Sequence, residues 1–65
     1  MTQQEARNAI MAATQRAFAA YDAQHGGIIR GMSKSQVYAY ADARTEYANN
    51  VLPQMIPADV MTLAV

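Results

Sequence analysis

The sequence predicts an all-α fold: an antiparallel helical hairpin of two main helices, followed by an apolar C-terminal extension containing a short helix. Three observations carry this expectation. Two capping boxes, Thr2-x-x-Glu5 and Ser33-x-x-Gln36, announce two helix starts. Apolar side chains recur at three- and four-residue steps behind each box. Gly26-Gly27 and Asn49-Asn50 followed by Pro53 supply the stops.

In the first helix, expected from about Gln3 to Gln24 within a segment 1–25, the Thr2 hydroxyl can take an orphan backbone N–H one turn in. The Glu5 carboxylate reaches back and sits at the positive end of the helix dipole. Ala6, Ile10, Ala13, Ala17, Ala20 and Tyr21 then mark one stripe, flanked by Met11 and Phe18. Alanine dominates this face, so a neighbouring backbone can approach closely.

The connection, 26–32, opens with Gly26-Gly27 as a C-cap and reversal, and places the ring of His25 near the last carbonyls of the helix. Ile28 and Ile29 are expected to be buried as a plug at the end of the hairpin. A link of this length suits two helices lying side by side.

The second helix is expected over 33–50. Ser33 and Gln36 form its capping box, and Met32 with Val37 occupy the two positions of a hydrophobic staple, which sets the angle at which the chain enters. Tyr38, Ala41, Thr45, Ala48 and Leu52 form the expected inner row, beside Val37, Tyr40, Tyr47 and Val51. Lys34, Asp42, Ala43, Glu46 and Asn49 are left for solvent. Asn49-Asn50 before Pro53 is read as the end, because Asn tolerates the left-handed closing conformation and Pro cannot continue the ladder.

In the extension, 51–65, Asp59 is the only charge. Pro57 is placed as the first residue of a short helix, with Asp59 in its first turn and Ile56, Val60, Met61 and Leu63 able to share a side. A segment this apolar is expected either to fold back over the hairpin or to dock into another chain.

Length and composition narrow the function classes. The chain has 65 residues, five basic and five acidic, one histidine and no cysteine. It is one small domain with no disulfide and no usual zinc ligand set, so it must gain stability from close helix packing, oligomerisation or a host surface. Balanced charge supplies no field to attract nucleic acid or an anionic membrane. No apolar run approaches the roughly 20 residues of a membrane span, and Met1-Thr2-Gln3-Gln4 is unlike a signal peptide. The expected location is the cytoplasm, or a particle assembled there.

Few residues point to chemistry. Asp22-x-x-His25 could place two ligands on one ion, yet no further ligand is in sight, and the simpler reading is an imidazole at the end of the helix dipole. Neither Ser33 nor Ser35 sits in a nucleophile elbow, and Gly26-Gly27 and Gly31 lack the phosphate-cradling pattern. No catalytic residue, cofactor or metal ligand is therefore assigned. Tyrosine and methionine, four and five in number, serve both cores and adaptable interfaces; Tyr38 and Tyr40 project about 200° apart, so a hairpin cannot cover both equally.

Gly31-Met32-Ser33-Lys34-Ser35-Gln36-Val37-Tyr38 resembles the turn and recognition-helix start of helix-turn-helix proteins, which would turn Arg30, Lys34, Ser35 and Gln36 toward DNA. Tyr38-x-x-Ala41-Asp42-x-Arg44 and Ile56-Pro57-x-x-Val60 resemble two pieces of the Hha and YmoA modulators, small helical proteins that associate with nucleoid proteins. That resemblance covers about a third of the chain.

Nineteen large apolar side chains, counted after Met1, exceed what two helices can bury between them. The expectation is a non-enzymatic interaction or assembly protein. It would be an oligomer, or an accessory or structural subunit of a larger complex such as a phage particle or mobile-element assembly. Its partner would be protein, either itself or a larger assembly. The expected contact residues are Ile28, Ile29, Tyr40, Tyr47, Met55, Ile56, Val60, Met61 and Leu63. The alternative is a helix-turn-helix or Hha-like transcription modulator.

Overall fold

In the computed structural model, which describes residues 1–65, the chain is all-helical: α1 Gln3–His25, α2 Lys34–Met55 and α3 Ala58–Leu63. Both capping boxes form. Thr2 Oγ1 accepts from the Glu5 N–H while Glu5 Oε1 accepts from the Thr2 N–H, and Ser33 and Gln36 repeat the exchange. The α1 terminus closes on Gly26, whose φ of 88° lies in the left-handed region that favours glycine, with its N–H on the Asp22 carbonyl.

α1 and α2 pack antiparallel: Asp22 meets Tyr40 and Arg44 near the connection, while Ala13 meets Leu52 toward the termini. Between them lie Ala6, Ala13 and Ala17 from α1 and Ala48 and Leu52 from α2, with Ile56 just beyond. The small alanines let the helices approach closely, which offsets part of the cost of having few large side chains to bury. α3 folds back on α1. Val60 and Met61 pack on the cluster of Ala13, Leu52 and Ile56, beside Ala9 and Ile10. Its end is tied by Arg7 Nε to the Ala64 carbonyl, 3.0 Å, and by Gln3 Nε2 to the Val65 carbonyl, 2.9 Å.

Several expectations change. α2 does not stop at Asn50 but runs through Pro53 to Met55. Pro53 removes one ladder donor, yet the extra turn brings Ile56 beside Leu52 and Ala13, and the Ile56 N–H closes on the Leu52 carbonyl at 2.9 Å. Pro57 is the N-cap of α3 rather than its first helical residue, with extended ψ of 147°. Ile28 and Ile29 do not plug the hairpin; they are 47% and 60% exposed, because the reversal is completed by glycine turns and Tyr40 rather than by apolar burial. The inner face of α2 is also rotated from the expected row. Tyr38 and Thr45 face solvent, and Tyr40, Arg44 and Tyr47 turn inward beside Ala41, Ala48 and Leu52. Ala20 of α1 is likewise exposed.

The molecule is a rod of 43 × 19 × 14 Å with a radius of gyration of 13.7 Å. A compact domain of this length has a radius of about 11 Å. Its surface of 4660 Å² compares with about 4,100 Å² for a compact monomer of the same mass.

Candidate interaction surface

A polar and aromatic cluster organises the connection end. Asp22, in the last turn of α1, accepts from the Tyr40 hydroxyl at 2.6 Å and from Arg44 Nη1 at 3.1 Å. Tyr40 and Arg44 are four residues apart and thus neighbours on α2. The Tyr40 hydroxyl also accepts from the Gly27 N–H at 3.1 Å, so one side chain ties α2 to α1 and to the turn. Burial, then the hydrogen bond and charge of Asp22, push the Tyr40 hydroxyl above its ordinary pKa of 10.0. The Arg44 guanidinium lies 4.6 Å over the Phe18 ring, while its Nε is buried without a hydrogen bond.

Tyr21 collects three rings around it. His25 stacks at 4.0 Å, Tyr40 meets it edge-on at 5.3 Å, and Tyr47 lies tilted at 5.5 Å. His25 Nδ1 is also 3.0 Å from the Tyr21 carbonyl, the helix-end contact expected of it. The carboxylate of Asp22 turns toward Arg44, and no three His, Cys, Asp or Glu side chains converge. The sequence reading missed Asp22–Tyr40–Arg44. Its only trace is an acid on the last turn of α1 and a Tyr/Arg pair one turn apart on α2, which have no visible relation until the hairpin register is known.

The expected contact residues fall into two groups. Ile28, Ile29, Met55 and Leu63 are exposed apolar side chains, joined by Val65 of the same apolar extension and by Met11 and Tyr38. Tyr40 and Tyr47 are half-buried in the ring cluster instead, Val60 and Met61 pack on the chain's own core, and Ile56 is 7% exposed. Those five lean inward because α3 folds back and α2 rotates toward Asp22. They offer at most an edge to a partner.

Of the residues considered for DNA, Gln36 is engaged in the capping box and Ser35 Oγ lies 3.3 Å from Ser33 Oγ. Lys34 sits 5.8 Å over Tyr38, and Arg30 is exposed on the connection. The surface carries no pocket, and no helix is long and apolar enough to cross a membrane. Comparison with protein-family models, curated proteins and solved structures finds no match to the chain.

Proposed function

We propose that this chain is a non-enzymatic interaction or assembly protein, either self-associating or built into a larger complex such as a phage particle. The observation that carries this reading is the imbalance between core and surface. The buried set is four alanines with Leu52 and Ile56, whereas Met1, Met11, Ile28, Ile29, Tyr38, Met55, Leu63 and Val65 are all at least 36% exposed. A core this small contributes little against the roughly 1.5 kcal/mol of conformational entropy lost per ordered residue, so association is the natural source of further burial.

The rival reading, a small nucleic-acid-associated modulator, draws on the exposed Arg30 and Lys34 beside the start of α2. The side-by-side hairpin supports it less than a crossing of about 90–120° between helices would. Mass in solution and helicity, followed together against concentration, test the assembly reading. Mass and helix content should rise together, and a fully helical monomer at every concentration overturns it. Binding to duplex DNA with a steep salt dependence would favour the modulator instead.

A further inference from the structure

α3 is the most loosely joined of the three helices. No backbone hydrogen bond crosses the Ile56–Pro57 peptide: the Ile56 N–H closes α2 on the Leu52 carbonyl, while the Val60 and Met61 N–H groups both return to the Pro57 carbonyl, 3.1 Å away. Proline has no N–H of its own to tie down the junction. Ile56, with φ −123° and ψ 128°, and Pro57, with φ −59° and ψ 147°, are both extended. Two kinds of contact hold α3 in place. Half-buried Val60 and Met61 pack on the cluster of Ala13, Leu52 and Ile56, and two exposed side chains of α1, Arg7 through Nε and Gln3 through Nε2, donate to the Ala64 and Val65 carbonyls. The six residues of α3 include none that is buried and have no side-chain cap. A helix shorter than about 12–15 residues does not hold together in water without a platform.

We infer that α3 is a hinged strap, which swings away as a unit about Ile56 and Pro57 while α1 and α2 stay paired. The hairpin keeps its own fastenings, because the Asp22–Tyr40–Arg44 bonds, the rings around Tyr21 and the buried Ala17 and Ala48 involve no residue of α3. Ile56 stays with the hairpin, since its N–H belongs to the last turn of α2. Opening costs the Val60 and Met61 contacts, two exposed hydrogen bonds and the short helix itself, and it returns conformational freedom to the segment from Pro57 onward. That balance places α3 at the low end of the range of local stabilities within one fold. The open form turns Val60 and Met61 outward and uncovers the cluster of Ala13, Leu52 and Ile56, so the closed strap withholds the largest apolar side chains of the core. The strap is a property of the single chain and stands independently of the assembly reading.

Amide hydrogen exchange resolved by residue, at a concentration where the chain is helical, tests the strap. The Met61 and Ala64 amides should be protected, yet should exchange at least about tenfold faster than those of Ala48 and Leu52 within α2. Their exchange should also depend little on urea, because opening α3 exposes far less surface than unfolding the hairpin. Arg7→Ala removes one tie at an exposed side chain and should speed Met61 and Ala64 a further threefold, roughly, while leaving Ala48 unchanged. Gln3→Ala repeats the test at the second tie should Arg7→Ala lower the helicity of α1. The strap is overturned by Met61 and Ala64 exchanging in step with Ala48 and Leu52, or by α3 amides with no protection at all. An effect of Arg7→Ala that is absent from α3, or equal in α2, overturns it as well.

Discussion

The Tyr40 hydroxyl stands 2.6 Å from Asp22 Oδ1 and donates to it, so a single bond joins the second turn of α2 to the last turn of α1. The same oxygen accepts from the Gly27 N–H. Tyr40→Phe keeps the ring against Tyr21 but orphans both the donor and one acceptor site. It is expected to lower the melting temperature by several degrees, whereas Tyr38→Phe, at an exposed ring, should change it little; thermal unfolding followed by circular dichroism compares the two.

The same contact gives the fold an alkaline limit. Folding raises the Tyr40 pKa above the unfolded value near 10.0, because burial and the neighbouring carboxylate disfavour the phenolate. The folded state thus holds its proton longer. Its contribution is complete below pH 10 and is lost as pH rises through the raised folded value. Urea midpoints across this range should fall in the parent protein and show a smaller decline in Tyr40→Phe.

At the other end of the scale, Glu5 is held below its usual value, first by the Thr2 backbone N–H and then by the Thr2 side chain. A lowered folded pKa contributes stability above the unfolded value near 4.5, and that contribution is lost as pH falls through the folded value. Glu5→Gln, which preserves an acceptor without the charge, should flatten the acid side of the stability profile.

Leu52 is one of two large side chains in the buried set and touches Ala13 and Ile56. Leu52→Ala is expected to cost about 2–4 kcal/mol, a large part of the stability of a chain this size. Urea denaturation should show a lower midpoint, and α3 should lose protection from hydrogen exchange because its platform is gone.

Pro53 interrupts the ladder of α2 two residues before its last residue, Met55. Pro53→Ala restores a donor for the Asn49 carbonyl. Against a proline cost of about 3 kcal/mol in a helix interior and a gain of roughly 0.4–1 kcal/mol in unfolded-chain freedom, a net stabilisation of about 2 kcal/mol is expected in the same denaturation assay.

The local features of this chain were open to reading along the sequence. Thr2-Glu5 and Ser33-Gln36 specify two helix starts because capping is settled within four residues, and Gly26 specifies a stop because its left-handed conformation excludes most other residues. The solvent positions Lys34, Asp42, Ala43, Glu46 and Asn49 of α2 were legible from spacing alone. Tertiary structure decided the rest. Whether α2 ends at Asn50 or passes Pro53 is a contest between one lost hydrogen bond and the joint burial of Leu52, Ile56 and Ala13, and only the folded hairpin brings Ala13 within reach. Which way α2 turns depends on Asp22, an acid on another helix, drawing Tyr40 and Arg44 inward and leaving Tyr38 outside. Periodicity marks an apolar side to within some tens of degrees. The partner across the interface chooses the angle.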